Sequence, residues 1–453
     1  MRMALLERFR GASLTARALR SSMLTVGGFG SMQALRLLSN LVLTRLLFPE
    51  AFGLMALVLV FLTGLAMFSD VGVTPAILQS KRGDDPDFLD TAWTIQVGRG
   101  ICLAAFAAAL AWPMAQIYAE PQLVQLLPVA GLTLLIAGFN PTRLDTAGRH
   151  LMLGRVTVIE IASQVAGLIV AIAFALIFRS VWALVASNLV TALAKLVLLD
   201  LFLPGARNRF RLERPAAREL VSFGKWIFLA TVCGFISHQA DKLLIGRYLP
   251  LDVFGVYNIG YFLASFPMLL GLMVVGRVLI PIYREAPPAE SRENFAKLRR
   301  MRTLVTGALL MLSALAACLG VWLVELLYDP RYHLAGAVVV VLALTQIPQI
   351  IGLTYDQAAL AAGDSRRFFV LSLAKAVFMV AGLLIGLEAG GLLGALIGQG
   401  VAQIMIYPVV TWLARRSGVW DPLHDAGGCI LGALIVALAL ALNGTAIADL
   451  ASG

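Results

Sequence analysis

The sequence predicts an all-α polytopic membrane protein: two six-helix lobes in parallel repeat around a central cavity, plus one or two extra C-terminal helices. Three observations carry that prediction. Apolar stretches of roughly 20 residues, enough to cross about 30 Å of hydrocarbon, recur along the whole chain. Basic residues crowd into alternate loops, and a short motif recurs once, 202 residues downstream. Composition agrees, because 60% of the 453 residues are hydrophobic and only 14% charged, too few polar groups to clothe a soluble protein of this length.

Thirteen spans follow, at approximately 22–47, 52–78, 92–118, 122–140, 157–178, 181–203, 226–249, 253–283, 304–328, 335–361, 368–387, 392–414 and 427–448. The N-terminus (Arg2, Arg8, Arg10, Arg17, Arg20) and the loops after even-numbered spans hold 26 of the 36 lysines and arginines. The loops after odd-numbered spans hold only Arg179 and Arg331. That asymmetry predicts a cytoplasmic N-terminus. It also reads the net charge of +10 as a topology signal, not as a nucleic-acid surface. The apolar run after the basic N-terminus is too long for a signal peptide and is read as the first span. Cys102, Cys233, Cys318 and Cys429 sit singly inside spans, form no CxxC pair and read as small packing residues.

The recurring motif sets the domain organisation. Arg45, Leu47, Glu50, Phe52 and Gly53 reappear as Arg247, Leu249, Asp252, Phe254 and Gly255, each set at the end of a long apolar stretch. Six crossings separate the copies, so both face the same side of the membrane and the repeats are parallel. A weaker echo, Val165 to Leu168 against Val380 to Leu383, joins the fifth and eleventh spans. The expected units are an N-terminal lobe (1–203), a basic cytoplasmic linker (204–225), a C-terminal lobe (226–414) and an extra transmembrane helix (415–453). Outward loops of at most about ten residues, with no HExxH, GxSxG or Walker A motif, point away from an enzyme. Gly27, Gly28 and Gly30 lie within an apolar helix, where small residues permit close packing.

Ionised groups at the centre of a membrane helix cost roughly 2.5–3.5 kcal/mol on insertion scales, so they usually face a cavity or a partner. Arg99, Lys195, Arg277 and Lys375 lie near cytoplasmic span ends, where each can snorkel to the headgroups or line an inner vestibule. Arg36 lies too deep to snorkel. Gln33, Arg36, Asn40 and Thr44 share one helix face by their spacing of three and four. The repeat offset carries Arg36 to His238 and Asn40 to Lys242, with Asp241 beside them. Both lobes therefore present a polar, net-positive face from their first helix. Asp70 could pair with Arg36, bind a coupling proton or Na+, or cap a helix break near Gly72 and Pro75; Asp241 is the second coupling candidate. A cationic cavity attracts an anion, and phosphate is the anion that arginine and lysine recognise well. A transporter of an anionic or amphiphilic substrate is expected.

The segment from Leu43 to Gly100 resembles the polysaccharide-transporter (Wzx-type flippase) family of the MOP superfamily. The matching residues are Thr44 to Gly53, Phe68 to Gly72, Ala76 to Gln79 and Thr91 to Trp93. The resemblance implies transfer of undecaprenyl-pyrophosphate-linked oligosaccharide from the cytoplasmic to the outer leaflet of a bacterial inner membrane, by alternating access, for surface polysaccharide synthesis. It implies membrane lipid and polysaccharide polymerase machinery as partners, with no nucleic acid, no metal and no cofactor. Arg36, His238 and Lys242, flanked by Gln33 and Asn40, would hold the pyrophosphate, and Arg99, Arg277 and Lys375 would attract it. A cation-coupled multidrug or metabolite exporter of the same superfamily is the alternative. Members commonly have twelve or fourteen spans, so thirteen is a departure.

Overall fold

The computed structural model describes residues 14–70, 72–150, 152–224, 228–276, 288, 290–356 and 365–452. Among these the regular structure is helical throughout. The chain divides into two compact units. Unit 1 comprises residues up to Leu47 together with Val58–Thr231; unit 2 comprises Phe48–Leu57 and everything from Val232.

Unit 1 contains α1 (Leu14–Leu46), most of α2 (Pro49–Phe68), α3 (Val73–Gln79), α4 (Pro86–Tyr118) and α5 (Leu123–Gly138). It continues with α6 (Arg143–Arg149), α7 (Leu153–Phe178), α8 (Trp182–Phe202) and α9 (Arg214–Gly224). Helix packing here uses small residues, as expected where lipid supplies no hydrophobic drive between helices. A Cβ on Gly100 would lie 3.1 Å from the Cα of Gly138, so α4 and α5 meet backbone to backbone. Gly167 of the weak echo faces α8, where the Ser187 hydroxyl donates to its carbonyl at 2.9 Å. The linker after α8 is strapped down. Backbone N–H groups of Arg209, Arg211 and Glu213 donate to Asp90, Thr94 and Thr91 of α4, each at 3.0 Å. Asn208 bonds Thr142 at 2.8 Å, and Ala216 and Leu220 of α9 bury against Val73, Ile77 and Phe88.

Unit 2 contains most of α10 (Phe228–Tyr248), then α11 (Leu251–Ala264), α12 (Phe266–Val274), α13 (Arg292–Leu327), α14 (Leu334–Thr345) and α15 (Ile347–Asp356). It ends with α16 (Ser365–Arg416) and α17 (Pro422–Ser452). Helix α16 leaves helical geometry at Gly390 and Gly391, the latter at φ 54°. Its two limbs double back: Gly382 abuts the carbonyl of Gly398, and Gly386 that of Gly394. At the α16–α17 turn a buried polar network replaces apolar packing. Asp425 accepts from Tyr355 at 2.7 Å, Tyr407 at 2.5 Å and Trp420 at 3.0 Å. His424 joins Asp425 at 2.8 Å to Thr306 of α13 at 3.0 Å. Fully buried Arg302 donates to the Val419 carbonyl at 2.9 Å and lies over the Tyr355 ring. Burial pushes the Asp421 carboxyl up, but bonds from Arg299 and the His424 N–H outweigh it and hold that carboxyl below the ordinary carboxylate range.

Every expected span falls on helix wherever residues are described, with corrections of shape. The second does not run unbroken to residue 78. α2 stops at Phe68, Asp70 accepts the Gly72 N–H at 2.9 Å, and Gly72 takes φ 70° before α3. The fourth span bends by 58° into α6, the eighth by 43° at Ser265 and the tenth by 41° at Gln346. Among the described residues seven single helices are long and apolar enough to cross a membrane, ten counting bent pairs. That count takes α16 once and omits α1 and α10, the two helices carrying the polar stripes. Residues 71, 226–227, 277–283 and 357–361 of the expected spans lie outside the described residues.

Within unit 2 the two motif copies touch each other. Gly53 sits against the carbonyl oxygen of Leu251, and Gly255 against that of Pro49. Pro49 and Leu251 are themselves equivalent under the 202-residue offset, so the contact is reciprocal. Neither glycine has room for a Cβ, because the obstructing atom is backbone. Phe52 packs edge-on to Tyr332 with centroids 5.9 Å apart, and the Arg331 guanidinium lies 4.9 Å over the Phe48 ring. Gly53→Ala or Gly255→Ala should therefore cost about 1–3 kcal/mol through overpacking. Gly234→Ala, with nothing within 4 Å of its Cβ, should be neutral or stabilising by up to about 1 kcal/mol. Thermal unfolding in detergent, followed by tryptophan fluorescence, separates the two classes.

Candidate functional site: polar faces of the first helix in each repeat

The polar stripe of α1 is built as its spacing requires. Gln33 and Asn40 are half-buried and Arg36 is exposed. The Arg36 guanidinium makes no hydrogen bond or ion pair among the described residues. Asp70 does not neutralise it, since that carboxylate is turned to the Gly72 N–H at the helix break. Thr44, fully buried one turn beyond Asn40, donates back to the Asn40 carbonyl at 2.8 Å. The stripe thus ends in packing and leaves its cation presented.

The equivalent face of α10 is held differently. His238 is exposed, Lys242 is half-buried and Asp241 is buried. Lys242 donates from Nζ to Gln239 at 3.0 Å and lies 4.3 Å over the Tyr261 ring, a cation–π contact that fixes its reach. Asp241 accepts a hydrogen bond from the Tyr257 hydroxyl. His238, Gln239, Asp241 and Tyr261 line a cavity of about 230 Å³ closed by Ser265, Gln346, Gln349 and Gln399.

The other expected cations divide. Arg99 donates from Nε to the Ser69 hydroxyl at 2.8 Å and from Nη2 to the Ala66 carbonyl. It therefore satisfies the C-terminal end of α2, where a cation is favoured by the helix dipole. Lys195 is paired with Glu160 at 2.9 Å, joining α8 to α7. Lys375 is half-buried on α16, and Arg277 lies outside the described residues. The structure brings Asp241 and His238 together in the wall of one cavity in unit 2, with Lys242 held against Gln239 and Tyr261 of that wall, and Arg36 with Gln33 and Asn40 on one face in unit 1.

Sequence reading missed Tyr257, Tyr261 and the glutamines. Gln346 and Gln399 carried a usable signal, because an amide deep in an apolar run is costly unless it has a task. Tyr257 carried none, since an aromatic residue in a span is ordinary. Removing each arginine should separate presented from structural charge. Arg99→Ala, which strips two bonds from a helix end, should cost about 1.5–3 kcal/mol. Arg36→Ala should leave the thermal midpoint of the detergent-purified protein within about 0.5 kcal/mol of the parent.

Comparison with known proteins sets these features in a family. The succinoglycan biosynthesis transport protein ExoT of Rhizobium meliloti is 24% identical over 382 residues, covering 83% of this chain and 76% of its own. The lipopolysaccharide biosynthesis protein WzxC of Escherichia coli is 22% identical over 431 residues, covering 90% and 84%. Among solved structures, the lipid II flippase MurJ in an inward closed conformation aligns with a TM-score of 0.61 at 12% identity, over 94% of this chain and 99% of that one. An inward-facing multidrug resistance MATE family transporter of the MOP superfamily aligns at 0.60 and 15% identity, over 85% and 94%. At those identities the structures establish the fold, which is the all-α fold of MOP-superfamily transporters. The family described as polysaccharide biosynthesis protein matches residues 42–335, well over half of the chain and including both motif copies. This chain belongs to the polysaccharide biosynthesis protein family.

Proposed function

We propose that this multi-pass membrane protein is a flippase rather than a catalyst. It moves undecaprenyl-pyrophosphate-linked oligosaccharide from the cytoplasmic to the outer leaflet of the bacterial inner membrane by alternating access, with its N-terminus in the cytoplasm. The observation that carries the reading is Arg36: a guanidinium deep in a membrane helix with no partner among the described residues. Holding such a charge unpaired in the membrane is costly, and a pyrophosphate that arrives and leaves gives it a partner in one stage of a cycle. Lys242 and His238 supply the equivalent positive face of the second repeat, with Gln33 and Asn40 as neutral donors. The roles of the relatives, succinoglycan transport and lipopolysaccharide biosynthesis, support a lipid-linked glycan substrate.

Arg277 and Lys375 attract the headgroup from the cytoplasmic side. Arg99 acts through α2, whose end it holds. Asp70 or Asp241 couples transport to a proton or Na+, and polysaccharide polymerase machinery takes up the product. A cation-coupled drug or metabolite exporter is the competing reading, and a presented arginine suits its cationic cargo poorly.

Cells expressing Arg36→Ala or Lys242→Ala at parental protein levels should lose surface glycan at least about tenfold, the loss of one or more charge-assisted contacts. Lipid extraction should find the lipid-linked oligosaccharide accumulated. Unchanged glycan and lipid pools in both variants contradict the pyrophosphate assignment; unchanged pools together with altered efflux of cationic compounds favour the exporter. Loss of pH or Na+ dependence in Asp70→Asn or Asp241→Asn identifies the coupling carboxylate.

A further inference from the structure

Two glutamines that line the cavity beside Lys242 have acceptor atoms with no donor among the described residues. Gln346 is 6% exposed and its Oε1 has no hydrogen-bond partner among the described residues; the Oε1 of Gln399 is likewise unpartnered. Asp241 is 4% exposed and receives one hydrogen bond among the described residues, from Tyr257, although a carboxylate can accept about four. Two unpartnered glutamine oxygens and a carboxylate with spare acceptor capacity, all on residues that line one chamber, are expensive in a membrane-embedded unit unless something enters and donates to them.

The chamber offers donors as well. The two glutamine amides each carry N–H groups, His238 and Tyr261 line the wall, and the Ser265 hydroxyl donates to Phe262 at 3.1 Å while keeping acceptor capacity. A ligand matched to mixed donors and acceptors, one carboxylate and an aromatic wall is a hydroxyl-rich ring. A single cation would satisfy the acceptors and leave those donors idle. At about 230 Å³ the chamber holds roughly seven waters at ~30 Å³ each, more than one bare cation needs. Its position adds a second reason. Lys242 bonds Gln239 and covers Tyr261, both of which line the chamber, so the proposed pyrophosphate cation sits on its rim.

We infer that this chamber is a monosaccharide subsite that reads the sugar attached directly to the pyrophosphate, through Asp241, Gln346 and Gln399. The inference rests on the proposed function and adds to it the point at which sugar identity is tested. Polar planar side chains built to bond hydroxyls discriminate strongly, because a sugar lacking the right hydroxyl leaves them unpaired.

The purified full-length protein is titrated with glucose, galactose, mannose and N-acetylglucosamine up to tens of millimolar, and separately with NaCl against choline chloride, following thermal midpoint and tryptophan fluorescence. At least one sugar should bind. Gln346→Leu and Gln399→Leu should each weaken that sugar about tenfold or more. Leu272→Trp, which fills the chamber from its apolar wall, should abolish the response even if a glutamine variant folds poorly. A response to Na+ with none to any sugar overturns the subsite in favour of a cation site, and no response to either also overturns it. Inorganic pyrophosphate binding that depends on Lys242 is scored in parallel. Its presence without sugar binding rejects the subsite alone, and its absence rejects the proposed pyrophosphate site.

Discussion

The reciprocal contact between Gly53 and the Leu251 carbonyl, and between Gly255 and the Pro49 carbonyl, is the constraint on which the remaining architecture depends. Backbone meets backbone there, so no side chain can be traded in on either copy. Each half of the motif is the other's complement, as in any isologous contact. Its residues are structural. Their offset bears on the proposed site, since it places Arg36 as far before Gly53 as His238 lies before Gly255.

With the turns fixed by packing, the polar groups of the spans can be sorted by what they touch. Lys195 has Glu160, Arg99 has the end of α2, Asp421 has Arg299 and Asp425 has three donors and a histidine. These are settled interactions, each linking two helices or sealing a helix end. Arg36 makes no ion pair among the described residues, and the Oε1 atoms of Gln346 and Gln399 are among the buried side-chain atoms that find no hydrogen-bond partner there. A transporter needs such groups, because a site saturated by its own protein has nothing left for a cargo.

Much of the fold was legible in the sequence for a plain reason: hydrocarbon thickness sets span length. What escaped reading was local geometry. The stop at Phe68 depends on Asp70 turning back to Gly72, a two-residue hydrogen bond that apolar periodicity does not encode. The bends at Ser265 and Gln346 fall inside runs whose hydropathy is unbroken. The candidate site was legible only in part. Arg36 and Lys242 stand out because charge in a span is conspicuous; Arg99 was equally conspicuous, and only its contacts reveal that it serves α2. The Asp421 and Asp425 network was invisible, since its members come from α13, α15, α16 and α17 and look in sequence like ordinary loop and interface residues.

The most direct measurement of the central claim is leaflet exchange in sealed proteoliposomes. A fluorescent polyprenyl-pyrophosphoryl saccharide is loaded into the bilayer, and its accessibility to a membrane-impermeant quencher is followed with time. Vesicles holding the parent protein should transfer the lipid across the bilayer at a rate well above that of protein-free vesicles, and vesicles holding Arg36→Ala should fall back toward the protein-free rate. Transfer by the parent no faster than in protein-free vesicles, or transfer by Arg36→Ala at the parental rate, would contradict the account.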